Sequence, residues 1–131
     1  MQLERGNVIK RPGPWGTDHL GLFAGFDQLG RGWVIHNAKD ERVKWDLLEA
    51  FAAGSPVSLV RRAVNVYEIE AIFARAQELL GRQFDLVNFN CEHFVTVALA
   101  GKAASPQLLG VAVGLTLVAA LSLLATSSVG S

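Results

Sequence analysis

The sequence predicts an α+β fold, in which a small antiparallel sheet packs against helices and an apolar helix follows at the C-terminus. Two apolar runs, 19–26 and 33–36, are separated by turn-forming residues, a pattern typical of a β-hairpin. Apolar residues recur at intervals of three and four from 66 to 80, as in an amphipathic helix. All 24 Lys, Arg, Asp and Glu residues precede position 103. The chain therefore divides into a domain, 1–105, and an uncharged segment, 106–131.

Composition excludes several classes of function. The formal net charge is zero and no stretch is strongly basic, so we expect no nucleic-acid partner. A single cysteine excludes an internal disulfide and a cysteine-based zinc site, and it fits a reducing compartment or a reactive thiol. The N-terminus has no apolar run, so no cleavable secretion signal is expected.

The hairpin brings two of the three histidines together. If the pairing is centred between Asp27 and Gln28, His19 and His36 lie directly opposite each other, on one face and with Cβ atoms about 5 Å apart. A slip of one residue would place the two rings on opposite faces. A lone histidine at a strand end is usually a structural residue whose hydrogen bonds are satisfied. Two histidines on one face favour a catalytic site.

Other elements follow from local signals. Asp46 to Glu49 fits a capping box, which predicts a helix over 47–53 that ends at Gly54. Asn88 or Asn90 is expected to cap a helix over 91–100, closed by Gly101. Short runs between turn residues predict further strands at 7–10, 56–61 and 84–87.

Cys91 lies at the predicted start of the last helix of the domain. Unpaired backbone N–H groups and the helix dipole at that position favour a thiolate and can hold an oxyanion. The alternative is that Cys91 is a buried small apolar residue. His93 follows two residues later, is rotated by about 200° on a helix, and is expected to be structural.

The C-terminal segment is long enough to cross a bilayer. Residues 108–125 carry no charge, include ten Leu or Val, and would span about 27 Å as a helix. Gly110 and Gly114 have the GxxxG spacing of self-associating helices. We expect a membrane anchor, with the domain on the cytoplasmic side because Lys102 precedes the segment. The alternative is a helix buried in an oligomer or against its own domain.

Three motifs together resemble the lecithin:retinol acyltransferase-like family, in particular its small phospholipase A and acyltransferase enzymes. They are His19-Leu20-Gly21, the run from Gly32 to His36, and the segment NCEHFVT from 90 to 96. The resemblance implies a circularly permuted relative of the NlpC-type and papain-like thiol hydrolases. Three departures stand out: the histidines are 17 positions apart, implying a longer hairpin than is usual, and Gly6-Asn7 replaces a Gly-Asp pair. The long insertion of the retinoid enzymes is also missing from the sequence, so vitamin A chemistry is not expected.

The resemblance implies a role for three residues: Cys91 as nucleophile, His19 as general base and His36 as the residue that orients the His19 imidazole. Cys91 would attack a phospholipid ester to form an acyl-thioester, which then passes to water, an amine or an alcohol. No metal or cofactor is expected to take part.

Two other classes of function are compatible with this sequence. A cysteine amidase or peptidase of the NlpC-like class would employ the same three residues, although an apolar tail argues against a soluble peptide substrate. A non-catalytic membrane adaptor would not need Cys91 or His19 at all.

Overall fold

The computed structural model describes residues 2–13, 16–86 and 88–101. The predicted apolar helix at 108–125 lies outside the described residues. Within them the chain forms five strands and three helices. In chain order these are β1 (Val8–Pro12), β2 (Asp18–Phe26), β3 (Gly32–Asn37), β4 (Val43–Leu47), α1 (Leu48–Ala52), β5 (Ser58–Arg61), α2 (Val66–Glu78) and α3 (Cys91–Ala100).

The strands form one antiparallel sheet in the order β4-β3-β2-β1-β5. The α+β class and the β2–β3 hairpin are therefore confirmed, while the circular permutation stays a prediction. Strands β2 and β3 carry His19 and His36, the two histidines predicted to belong to the site.

Alternating side chains of the sheet enter two separate apolar clusters. Leu20, Leu22 and Ile35 pack with residues of α2 and α3. Phe23 and Val34, their neighbours along the same strands, pack with Phe51 of α1. The sheet therefore separates a large core under α2 and α3 from a smaller one under α1.

The predicted capping box at Asp46 is wrong. Residues 43–47 form β4, helix α1 begins only at Leu48, and Leu47 at its N-cap position makes no side-chain cap hydrogen bond. The Asp46 carboxylate is directed along the sheet to His36 instead. Val43, which is buried, fixes the register of β4 opposite Asn37.

The described residues between α2 and α3 form turns and isolated bridges, and residues 84–86 form no strand, in contrast to the strand predicted at 84–87. Isolated bridges join Arg42 to Gln83 and Asp85 to Phe89, and Val87 lies outside the described residues. The helices predicted over 66–80 and 91–100 are confirmed, and Gly101 ends α3 with a φ of 81°, a left-handed conformation that suits glycine. No helix among the described residues is both long and apolar enough to span a bilayer.

Candidate active site

His19 and His36 form a buried, hydrogen-bonded pair. His19 Nε2 lies 2.7 Å from His36 Nδ1, and the two rings meet edge to face. The prediction that they share one face of the hairpin is confirmed, but the predicted register is wrong by two residues. Leu22 is opposite Ile35, so His36 is opposite Gly21 and His19 is its diagonal neighbour.

An irregularity in β2 is what places the two rings on one face. Near the turn, Gly25 pairs with Trp33, and this register would carry Leu22 opposite His36 if it continued. His19 would then point to the other face. The register instead shifts by one residue between Phe23 and Gly25, as expected for a β-bulge, and the alternation of side chains is restored for the pair.

Phe51 of α1 fixes both rings from above the sheet. Its ring stacks on His19 at a centroid distance of 5.2 Å and meets His36 edge to face at 5.3 Å. Gly21 provides the space for this arrangement: a Cβ there would lie 2.7 Å from Phe51 Cε1 and 3.3 Å from His36 Cβ. The glycine of the His-Leu-Gly motif is therefore a packing requirement of the site.

Burial keeps both imidazoles neutral. It lowers the pKa of His19 to about 3, with the charges of His36 and Arg11 acting in the same direction. Arg11 lies opposite His19 on β1. Burial also lowers the pKa of His36, although its hydrogen bond to Asp46 opposes the change. At neutral pH each ring therefore has one N–H and one lone pair.

Asp46 is the residue of the site that the sequence did not reveal. Its Oδ2 atom lies 2.8 Å from His36 Nε2 and 3.6 Å from Lys44 Nζ. Lys44, opposite His36 on β4, also contacts Glu41 at 2.9 Å. The available signal was the alternation of Val43, Trp45 and Leu47, which indicates a strand, but the capping-box spacing assigned Asp46 to a helix.

Cys91 is the first residue of α3, and it lies beside the main chain of β2. Its Sγ atom is 3.9 Å from the carbonyl oxygen of Asp18, the residue before His19. Burial raises the pKa of the Cys91 thiol, and the N–H groups of Leu20 and of the helix start offset this only in part. The N–H groups at the helix start therefore favour the thiolate, as expected, but burial outweighs their effect and the net pKa is raised.

The three predicted site residues converge only in part. The histidine pair lies on the face of the sheet that carries Phe51, whereas α3 packs against the opposite face. Cys91 reaches the sheet at the start of β2, and among the described residues it makes no hydrogen bond to either histidine ring. The structure thus brings the thiol to the main chain next to His19, not onto the ring itself.

His93 is structural, as predicted. Its Nδ1 atom accepts a hydrogen bond from the Asn90 N–H at 3.1 Å, while Asn90 Oδ1 accepts from the His93 N–H at 3.0 Å. The two residues form a reciprocal capping box at the start of α3. Among residues 2–13, 16–86 and 88–101, no group of three or more His, Cys, Asp or Glu side chains is arranged to hold a metal ion.

Comparison with known proteins assigns the chain to a family. No curated protein matches it significantly. A protein-family model described as lecithin retinol acyltransferase matches residues 26–104, about three-fifths of the chain. The match contains His36 and Cys91, and His19 lies seven residues before it. It indicates activity of the acyltransferase and phospholipase type in general. The chain belongs to the lecithin retinol acyltransferase family.

Proposed function

We propose that the protein is a thiol-dependent phospholipase A or acyltransferase, in which Cys91 carries the acyl group as a thioester. The observation that carries the proposal is the placement of the thiol at the main chain of Asp18, directly before a buried histidine pair. Membership of the lecithin retinol acyltransferase family supports acyl chemistry. The substrate class and the thioester are the parts that experiment has to test.

The proposed first step begins with both partners uncharged. The raised pKa of Cys91 favours the thiol, and the pKa of about 3 leaves His19 as a neutral imidazole. Proton transfer from Sγ to His19 therefore accompanies attack on the ester carbonyl and does not precede it. The transfer requires Sγ and the ring to come within hydrogen-bonding distance in the substrate complex, where such contacts commonly tighten.

The remaining steps conserve that proton. The N–H of Cys91 at the start of α3 is free of helical partners and stabilises the oxyanion of the tetrahedral intermediate. The carbon–oxygen bond of the ester breaks, and His19 protonates the departing lysophospholipid oxygen. His19 then removes a proton from water, an amine or an alcohol, which attacks the thioester and restores the thiol. His36 orients the His19 ring throughout.

The apolar segment 106–131 completes the proposal as a membrane anchor. A catalytic domain held on the cytoplasmic side of a bilayer meets its phospholipid at a high effective concentration. The GxxxG spacing of Gly110 and Gly114 adds self-association through the same segment as a further part of the proposal.

Intact-mass spectrometry tests the thioester directly. The full chain in detergent is incubated with phosphatidylcholine liposomes beside the variants Cys91→Ala and Cys91→Ser. The proposal predicts an acyl adduct on the wild type that hydroxylamine removes, no adduct on Cys91→Ala, and release of fatty acid or lysophospholipid by the wild type alone. Absence of adduct and of released lipid would overturn the phospholipid proposal.

A parallel reaction with iodoacetamide separates the remaining classes of function. If lipid chemistry is absent but Cys91 is alkylated, an amidase or peptidase becomes the better assignment. If Cys91 is also unreactive toward the alkylating agent in the folded protein, a non-catalytic adaptor is favoured. The raised pKa of Cys91 predicts slow alkylation at neutral pH, so the reaction is followed up to about pH 9.

A further inference from the structure

Asp46, His36 and His19 form a continuous chain of hydrogen-bonded side chains, which is called the line below. Asp46 lies on β4, diagonally across the strand pair from His36, with its Oδ2 atom 2.8 Å from His36 Nε2. The His36 side chain is 6% exposed and that of Asp46 is 27% exposed, so the line runs from the edge of the sheet inward. It ends at His19, which His36 contacts through its other ring nitrogen.

The chemistry of the donors and acceptors fixes the direction of the line. A carboxylate only accepts hydrogen bonds, so the proton between Asp46 and His36 is on His36 Nε2. A neutral His36 then has its lone pair on Nδ1. The hydrogen bond between the two rings must therefore be donated by His19 Nε2, which leaves the lone pair of His19 on Nδ1.

We infer that Asp46 is a positioning residue that sets the tautomers of both histidines, so that the unprotonated nitrogen of His19 is Nδ1, away from His36. The inference deepens the proposed function and rests on it for the role of His19 as a base. Without the carboxylate, the opposite arrangement becomes available. His36 would then carry its proton on Nδ1, His19 would accept at Nε2, and His19 Nδ1 would hold a proton and could not accept one from a thiol.

The surroundings favour one arrangement of these protons. Lys44 Nζ lies 3.6 Å from Asp46 Oδ2, so the carboxylate has a cationic neighbour on the same strand. Arg11 faces the pair from β1 and, with burial, opposes a positive charge on either ring. Phe51 packs on both rings, so neither can turn without disturbing the apolar cluster under α1.

Nuclear magnetic resonance of the full chain, labelled with ¹⁵N in its histidine rings and held in detergent micelles, tests the inference without substrate. Long-range ¹H–¹⁵N correlation spectra at neutral pH distinguish Nδ1–H from Nε2–H rings. His93 is an internal reference, because its Nδ1 accepts from the Asn90 N–H and must be unprotonated. The variants are Asp46→Leu, similar in size but without an acceptor, and Asp46→Asn, whose oxygen can still accept.

The matched control is Glu41→Leu. It removes the other carboxylate that contacts Lys44 without touching a histidine. We expect Nε2–H tautomers for His19 and His36 in the wild type and in Glu41→Leu. In Asp46→Leu, His19 and His36 should gain the Nδ1–H form while His93 is unchanged. In Asp46→Asn, the population of the Nδ1–H form should lie between those of the wild type and Asp46→Leu. Wild-type tautomers retained in Asp46→Leu would overturn the inference. If Asp46→Leu does not fold, the wild type alone still tests the inference. An Nδ1–H tautomer on His19 or His36 of the wild type would overturn it.

Acylation kinetics complete the test. In Asp46→Leu the maximal rate of Cys91 acylation should fall about 10- to 100-fold, less than the roughly 10⁴-fold of an aspartate that contacts the base directly. The lipid concentration for half-maximal rate should not change. If the wild type forms no adduct but shows the expected tautomers, the proposed function fails and the hydrogen-bond assignment stands. If the adduct forms at the same rate in Asp46→Leu, only the inference fails.

Discussion

The side-chain nitrogen of Asn37 lies 2.9 Å from the carbonyl oxygen of Phe89, a residue 52 positions later in the chain. The same Nδ2 group contacts the carbonyl of Asn90 at 3.3 Å. Asn37 directly follows His36 on β3, and Asn90 caps the helix that begins with Cys91. One buried amide therefore ties the histidine strand to the start of the cysteine helix.

Replacing Asn37 by Leu should weaken both stability and acylation. The Phe89 carbonyl loses a buried donor, at a cost of about 1–3 kcal/mol, offset in part because the unpartnered Oδ1 of Asn37 is also removed. The start of α3 is no longer held against β3, so Cys91 acylation should slow at temperatures where the variant is folded. Thermal unfolding and the rate of adduct formation measure the two effects.

Asn88→Ala provides the comparison for Asn37→Leu. Asn88 is exposed and its side chain donates a hydrogen bond to Asp85, so neither stability nor acylation should change appreciably. Equal acylation rates in folded Asn37→Leu and in the wild type would show that the Asn37 link does not position the thiol.

Gly21→Ala should disturb the histidine pair through packing. The added Cβ would lie 2.7 Å from both Phe51 Cε1 and Val34 Cγ1, so Phe51 must move away from the rings. We expect a loss of about 1–3 kcal/mol in the free energy of unfolding, typical of overpacking, together with slower acylation. Chemical denaturation and the adduct assay measure these effects.

Gly32→Ala is the matched control for Gly21→Ala. A Cβ there meets Phe23 Cε1 at 3.1 Å and Leu48 at 3.3 Å, on the same strand pair but without a histidine contact. It should be less destabilising and leave acylation near the wild-type rate. Should both glycine variants slow acylation equally, the effect would be one of general stability and the specific role of Gly21 would be rejected.

The histidine pair should make folding stability sensitive to acid. The folded-state pKa of His19 is about 3, below its ordinary value of 6.5, so between these values the unfolded chain binds a proton that the folded chain does not. The neutral His19 makes its full contribution to the free energy of unfolding above about pH 6.5. That contribution is lost as the pH falls from about 6.5 toward about 3, by up to about 1.4 kcal/mol per pH unit. The lowered pKa of His36 acts with the same sign.

His19→Phe tests this assignment, because phenylalanine can stack on Phe51 but does not titrate. Denaturation midpoints measured from about pH 7 to about pH 5 should fall more steeply for the wild type than for His19→Phe. Parallel slopes for the two proteins would mean that His19 is protonated in the folded state over this range, contrary to its burial.

His93→Gln should separate the structural histidine from the pair. Glutamine at this position can accept from the N-cap N–H, so the capping box is retained and both stability and acylation should stay near wild type. His93→Ala loses that acceptor and should cost about 1 kcal/mol of stability with acylation preserved. A large loss of acylation in folded His93→Gln would contradict the structural role of His93.

The sequence predicted most elements because their signals were local. Helix α2 followed from apolar periodicity, and α3 from Asn90 before it and Gly101 after it. The register of the hairpin was wrong because the shift between Phe23 and Gly25 depends on pairing with β3, which no single strand encodes. The prediction that His19 and His36 share a face is nevertheless correct. Side chains alternate between faces with a period of two, so a register error of two residues leaves both histidines on the same face.

Asp46 could not be assigned from the sequence for a related reason. Its spacing to Glu49 fits a capping box, and local pattern alone does not show that the preceding residues add an edge strand beside His36. The protonation state of Cys91 was also beyond local reasoning, since the raised pKa comes from tertiary burial that opposes the helix start.

The pH dependence of single-turnover Cys91 acylation tests the central claim most directly, which is that a neutral thiol transfers its proton to a neutral His19 during attack. The pKa of about 3 for His19 and the raised pKa of Cys91 predict a rate that is nearly constant between about pH 5 and about pH 8. A rate that falls with acid through a midpoint near 6.5, or that rises in proportion to thiolate across this range, would contradict the account.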